Sequence, residues 1–252
     1  MLRYIIRRFL TAIPTLLVVA VLIFVLIRCI PGNPAQVMLS EDATNEEVAA
    51  MERKLGLDQP IFVQFIKWIS NAIRGDFGKS LYYNEPVLGI LAARLGPTML
   101  LVLYAMLIAT TLGVGLGVIA AVNRGHIIDQ IAMVISIVGI SMPGFWIGLN
   151  LVIFFSVKNP IFPSVGYVTV AEGGLSQALY YLTLPAVALG LQRSASIARV
   201  TRSSMLDVLG NDYIRTARSK GLGNKKIIGL HALKNAANPI ITQIGISVAH
   251  LM

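Results

Sequence analysis

The chain has 252 residues, 56% of them hydrophobic and only 13% charged, with a mean hydropathy of +0.73 and a formal net charge of +9. A soluble domain carries about 25% charged residues, so this composition cannot cover a globular surface of that size and excludes a soluble globular domain. Much of the outside must face lipid.

The first element is residues 1–30. Arg3, Arg7 and Arg8 precede a charge-free run over 9–27, which at about 1.5 Å per residue covers roughly 28 Å and matches the ~30 Å hydrocarbon layer. A secretory signal is the competing reading. The run is too long for a signal core, and it ends in Arg28-Cys29-Ile30-Pro31 without a small-x-small cleavage site, so it is an uncleaved first span. Basic flanks stay in the cytoplasm, which puts the N-terminus inside. Residues 31–96 then lie outside, where the patterns over 46–55 and 61–73 predict a small outer helical segment. Its simple role is a cover over the outer face of the spans; docking a partner is the favoured one.

Three more charge-free runs follow, 95–123, 130–157 and 173–192. The last opens with Gly173, Gly174, Ser176 and Gln177 and holds Pro185, so its span is set from about Ala178 toward Ala198. Alternation of spans places 123–130 inside, 158–177 outside and 199–237 inside. The inner segment 199–237 carries Arg199, Arg202, Arg215, Arg218, Lys220, Lys225, Lys226 and Lys234 against Asp207 and Asp212, whereas 31–96 has more acids than bases. That asymmetry agrees with the topology. The basic excess and the pI near 9.9 are explained by membrane-flanking loops and anionic lipid headgroups, so membrane lipid is an expected partner and nucleic acid is not.

Within the spans, Gly113, Gly115 and Gly117 include a small-xxx-small pair that lets helix backbones touch. No Gly-Lys-Ser/Thr follows, so they are not a phosphate loop. In the third span, Ser141-Met142-Pro143-Gly144-Phe145-Trp146 interrupts helical regularity near mid-membrane. Met142, Pro143, Phe145 and Trp146 are either a packing kink or a wall of a translocation path, and both readings stand at this point. No carboxylate lies within the four charge-free runs, whereas ion-driven carriers bury them as coupling groups. Arg193 is the one charge partly within a span, placed to snorkel toward the cytoplasmic face. An ion-coupled secondary transporter subunit is therefore the weaker alternative. Cys29 allows no intrachain disulfide, and His126, His231 and His250 are scattered, so neither a metal nor any other cofactor is expected. No nucleophile or dyad suggests an enzyme.

Residues 199–237 form the most informative segment. Arg199 to Leu209 can prolong the fourth span until Gly210 breaks it. Asn211 or Asp212 then caps a short helix through Lys220, with Gly221 as left-handed terminator. Asn224 caps a second helix, Lys225 to Ala236, which ends before Asn238-Pro239. Such a helix–Gly–helix suits docking, with Tyr213, Ile214 and Ala217 entering a partner's groove; an amphipathic linker lying on lipid is the plainer reading.

The run Asp212-Tyr213-Ile214-Arg215-Thr216-Ala217-Arg218-Ser219-Lys220-Gly221, followed by His231-Ala232-Leu233-Lys234-Asn235-Ala236 and Pro239, resembles the EAA loop of ABC importer permeases. Arg215, Thr216 and Ala217 take the Glu-Ala-Ala places and Gly221 the glycine; Lys234 stands where the general motif has a later proline. This departure is common in the peptide-importing branch. Arg7-Arg8-Phe9, Pro31-Gly32-Asn33-Pro34, Leu55-Gly56-Leu57-Asp58-Gln59-Pro60, Gly75-Asp76-Phe77-Gly78-Lys79-Ser80 and Pro143-Gly144-Phe145-Trp146 resemble the same branch, so the likeness covers nearly the whole chain. The resemblance implies an all-α, polytopic transmembrane bundle of the type I importer fold with six spans, of which about four and a half lie in this sequence. It implies a first span at 1–30, an extracytoplasmic segment at 31–96 and a core permease domain at 97–252 with its coupling loop at 199–237. The partners it implies are a second homologous permease subunit, two cytoplasmic ATPase subunits and an extracytoplasmic substrate-binding protein, all at the bacterial inner membrane. Contact with the ATPase would run through Tyr213, Arg215, Thr216, Ala217, Arg218, Lys220 and Gly221. Small peptides are the expected substrate, with glutathione and nickel chelates carried by related systems. The chain stops at Leu251-Met252 inside a fresh apolar run, so a truncated product or partial chain is expected.

Overall fold

The computed structural model of the chain describes residues 2–39, 43–80 and 82–252. It divides into two compact units, Met1–Arg94 and Leu95–Met252, and the division falls within one long helix. Among the described residues there is no strand, only an isolated antiparallel bridge between Lys79 and Pro86. Among the described residues three helices are long and apolar enough to cross a membrane, and a bent pair supplies a fourth crossing if counted as one span.

In the first unit, α1 (Leu2–Cys29) is the leading span, and most of its apolar side chains are exposed, as a lipid-facing helix requires. Its end is tied to short helices. Asn33 caps α2 (Pro34–Met38), its Oδ1 accepting from the Ala35 amide at 3.0 Å, while its Nδ2 donates to Glu52 at 2.5 Å on α3 (Asn45–Leu55). A reciprocal Thr44–Glu47 capping box starts α3, and the Thr44 amide and hydroxyl hold the Glu47 carboxyl below its usual range. Gly56 at φ 69° ends it, so the Leu55–Pro60 stretch is a left-handed stop followed by the Pro60 entry to α4 (Ile61–Ile73). The ring of Phe24 packs 5.3 Å from Phe65 and 5.8 Å from Trp68 of α4. Arg28 lies 4.9 Å over that ring and donates to Gln64, whose amide donates in turn to the carbonyls of Leu57 and Gln59. In Gly75–Ser80, Gly75 and Gly78 take positive φ and the Asp76 carboxylate accepts from the Gly78 amide at 2.9 Å, an Asx turn. The helices predicted over 46–55 and 61–73 are thus present as α3 and α4.

The second unit is built on α8 (Val170–Leu209), a long element broken near its start at Gly174, against which α6 (Ile127–Ser141), α7 (Gly144–Val152) and α11 (Ala237–Leu251) all pack. Helix α5 (Val87–Val122) meets it through glycine. A Cβ on Gly113 would sit 2.7 Å from the Ser194 carbonyl and from Ile197, and one on Gly117 would sit 2.6 Å from the Ala198 carbonyl and 2.5 Å from Thr201. Gly190 returns the contact, facing the Ala105 carbonyl at 2.9 Å. Lipid provides no hydrophobic drive to join helices, so such backbone proximity and its dispersion gain are what hold them. Gly115 faces open space and takes no part.

Ahead of the fourth span a short turn opens α8 at Val170 under a Thr169–Glu172 capping box, non-helical Gly174 (φ 75°) breaks it, and the unbroken helix runs from Leu175, close to the start near Ala178 that the sequence suggests. The last inner helix stops before Asn238-Pro239, as the sequence suggests: after α10 (Asn224–Lys226) the chain runs through a π-helical stretch, Ile227–Leu233, breaks at Ala236 and restarts as α11 with Pro239 in its first turn. Proline is tolerated there because the first amides of a helix have no partner to lose.

The glycine contacts give a direct test. Gly117→Ala should lower stability by about 1–3 kcal/mol, the usual cost of overpacking, seen as a lower thermal midpoint in mild detergent. Gly115→Ala, two residues away, should be neutral or slightly stabilising.

Candidate functional site

The hairpin after α8 begins at Gly210, whose amide donates to Leu206 at 3.2 Å, and Asn211 is the N-cap of α9 (Asp212–Ser219). Asp212 at the positive end and Arg218 at the negative end complement the helix dipole. At the far end the Leu222 amide donates to the Ala217 carbonyl at 3.2 Å and the Gly221 amide to the Arg218 carbonyl at 2.9 Å. With Gly221 at φ 79° this is a Schellman closure, which needs the left-handed residue that glycine supplies without strain. Asn224 is not the cap of the next helix: extended Gly223 (φ −70°, ψ 150°) holds that place and Asn224 is the first helical residue.

Tyr213, Arg215, Thr216, Arg218, Lys220 and Gly221 are exposed and Ala217 is half-buried. Ile214 is different. It is fully buried, as is Ile227 on the π-helical stretch that packs against α9, so Ile214 is an internal anchor and cannot enter a partner's groove. Behind it Ala232, Ala236 and Ile240 pack with Ala121 of α5 and Met205 of α8. The exposed side is cationic. Arg215 lies 3.6 Å from Asp212, but with 79% and 95% of the two side chains exposed the pair contributes at most a few tenths of a kcal/mol. Residues 220–226 line an open concavity of ≈ 430 Å³ that carries Lys220, Lys225 and Lys226. The arrangement is a short helix with a buried base and a basic outer side.

The second group of predicted residues lies at the junction of α6 and α7, where the two helices bend by 96°. Met142 ends α6, its amide donating to the Val138 carbonyl at 3.1 Å, and Pro143 is the N-cap of α7. Met142, Pro143 and Trp146 share an apolar concavity of ≈ 350 Å³ with Ile137, Val138 and Ser141, whereas Phe145 lies outside it and is 73% exposed. Opposite the break, a Cβ on Gly144 would lie 3.2 Å from Gln192 of α8.

Sequence reasoning passed over the most strongly bound charges. Asp129, counted with an inner loop, is 4% exposed within the first turn of α6. Arg202 of α8 donates to it from Nε at 2.5 Å and Nη2 at 2.7 Å, and the Gly125 amide donates at 3.0 Å. Nothing in the local pattern marks a pairing across 73 residues. Arg193 is half-buried, with its Nε enclosed and without a partner. Among the described residues no cluster of His, Cys, Asp or Glu could hold a metal ion.

Comparison with known proteins bears on both sites. Residues 113–252 match the family described as binding-protein-dependent transport system inner membrane component, and residues 1–102 match its described N-terminal counterpart. A Sinorhizobium fredii protein named "Probable peptide ABC transporter permease protein" is 41% identical over 249 residues, covering 99% of this chain and 79% of the relative. The glutathione transport system permease proteins of Escherichia coli and Salmonella paratyphi A are each 38% identical over 252 residues, covering 100% of this chain and 79% of the relative. The long apolar helices and these matches together make the chain a multi-pass inner-membrane transport subunit rather than an ATPase, and it belongs to the binding-protein-dependent inner-membrane components as a permease of the peptide-type ABC importers.

Proposed function

We propose that the chain moves small peptides inward across the cell membrane as one of two homologous permease subunits, powered by two cytoplasmic ATPase subunits and supplied by an extracytoplasmic binding protein. Tyr213, Arg215, Thr216, Ala217, Arg218, Lys220 and Gly221 seat in a cleft of the ATPase, and Met142, Pro143, Phe145 and Trp146 line the path. The N-terminus and residues 199–237 face the cytoplasm, residues 31–96 face outward and meet the binding protein, and 97–252 form the transport core. The observation that carries this reading is α9: an exposed basic helix, closed by Gly221 and moored, with Ile214 buried, on the π-helical stretch Ile227–Leu233. A linker resting on lipid needs no such mooring. Peptides are chosen because the Sinorhizobium relative is named for them, and glutathione, carried by the system of the Escherichia relative, is itself a tripeptide.

In this mechanism ATP binding closes the two ATPases and displaces α9, and the displacement switches the paired permeases between outward- and inward-facing states. A bistable element biased by nucleotide is what alternating access requires. Ion coupling is the weaker reading on physical grounds as well: among the described residues Asp129 is the one buried carboxylate, and it is held by Arg202 and therefore unavailable to a travelling ion.

Two variants test the reading. An added Cβ at position 221 meets nothing within 4 Å, so Gly221→Val acts through the left-handed backbone alone, at about 1–2 kcal/mol. The reconstituted importer should insert and assemble yet lose substrate-stimulated ATP hydrolysis and uptake; unchanged uptake would overturn the assignment. Ile214→Ala removes the buried anchor, a change that costs about 2–5 kcal/mol in a packed site. Amides 212–220 should then exchange with deuterium much faster while α8 upstream of Leu209 keeps its protection.

A further inference from the structure

The packing between α6 and α8 is small and apolar along most of its length. Ala132 and Ser136 are buried on α6, and a Cβ on Gly139 would rest against Ala195 at 3.4 Å. Contacts of this kind are non-directional, so they let one helix slide or roll on the other at little cost. At one end the surface changes character. The Asp129 carboxylate takes both arms of the Arg202 guanidinium, at 2.5 and 2.7 Å, and its second oxygen also accepts the Gly125 amide at 3.0 Å. A two-point fork of this sort fixes both distance and orientation. It is also enclosed, Asp129 being 6% and Arg202 27% exposed at the side chain.

Position gives the fork its consequence. Arg202 stands seven residues before Leu209, the end of α8, and hence about 10 Å along the helix from the hairpin that carries α9. Asp129 stands in the first turn of α6, whose other end is the 96° break at Met142-Pro143. The two residues therefore connect the stem of the hairpin to the helix that leads to the break. Neither touches the predicted ATPase-facing residues, and neither lies at the break.

We propose that Asp129 and Arg202 are positioning residues that form a strut: they lock α6 to the α8 stem, so that a displacement of α9 is delivered to the α6–α7 break and not lost as sliding between apolar helix faces. This inference rests on α9 being the coupling helix. The polar ends of the strut are matched to each other and not to a ligand. Arg202→Lys keeps the charge but offers one contact in place of the fork, so it would transmit motion poorly.

The test uses the complete importer in proteoliposomes, in a Cys29→Ser background with a single reporter cysteine at Phe145→Cys on α7 or Arg218→Cys on α9. The rate of modification by a water-soluble maleimide is measured with and without ATP plus vanadate. Removing one charge alone would leave the other buried and unpaired and risks misfolding. The main variant is therefore Asp129→Leu/Arg202→Met, an apolar pair of similar bulk, with Arg202→Lys as the milder form. With the strut intact, nucleotide should change the rates at both positions by at least threefold. In the double variant the change should persist at position 218 and fall below 1.5-fold at position 145, with Arg202→Lys between. A full response at position 145 in the double variant overturns the strut, and so does loss of the ATPases from the purified double variant, which would make the pair a docking element. Absence of any nucleotide response at position 218 with the native pair overturns the coupling reading itself and the strut with it.

Discussion

Backbone contact between α5 and α8 is the constraint on which the second unit depends. Inside a bilayer, two apolar helices gain nothing by hiding from their surroundings, so association rests on how closely they can approach. Gly113, Gly117 and Gly190 are placed where any side chain would collide with a carbonyl of the facing helix. That approach brings Ala121 of α5 and Met205 of α8 together, and the pair becomes the floor on which Ala232, Ala236 and Ile240 settle. The hairpin beneath the bundle is thereby an extension of the helix pair. Its π-helical stretch, with Ile227 buried, packs against α9, and α8 leads directly into α9 through Gly210 and Asn211.

Charge is distributed by the same logic. Exposed cations of the hairpin are left nearly free, since the Asp212–Arg215 contact is solvated and weak, and a free basic surface is available to a partner. Asp129 and Arg202, both largely enclosed, are committed to one another in a fork, because an unpaired ion in an apolar setting is costly. In the first unit Arg28 is treated likewise, resting over the Phe24 ring and donating to Gln64, so that a cation at the end of α1 has two partners and its stem covers aromatic surface.

Much of this organisation was legible in order along the chain. The charge-free runs marked the spans because a hydrocarbon layer tolerates few ions over some twenty residues, and the motifs shared with the importer permeases turned out to be local devices. Asn33-Pro34 is a cap and first turn, Gly56 a left-handed stop, Asp76 to Gly78 an Asx turn and Gly221 a Schellman closure. Each depends on neighbours within a few residues, which is why sequence reading reached them. The cap after Gly221 was misjudged, since Gly223 and not Asn224 takes that place, and the π-helical turn over Ile227–Leu233 carries no mark in local propensity.

What the sequence by itself determined is therefore the set of elements, their apolar length and their punctuation, since hydropathy and turn chemistry act over one helix or one turn. The tertiary structure alone decided which of those elements touch. Ile214 reads as a surface residue of a short amphipathic helix until the π-helical stretch folds over it, and Asp129 reads as a loop acid until Arg202 arrives from 73 residues away. The bend of 96° at Met142-Pro143 belongs with them: proline ends the helix locally, but the direction taken afterwards is set by the α8 surface on which both halves rest.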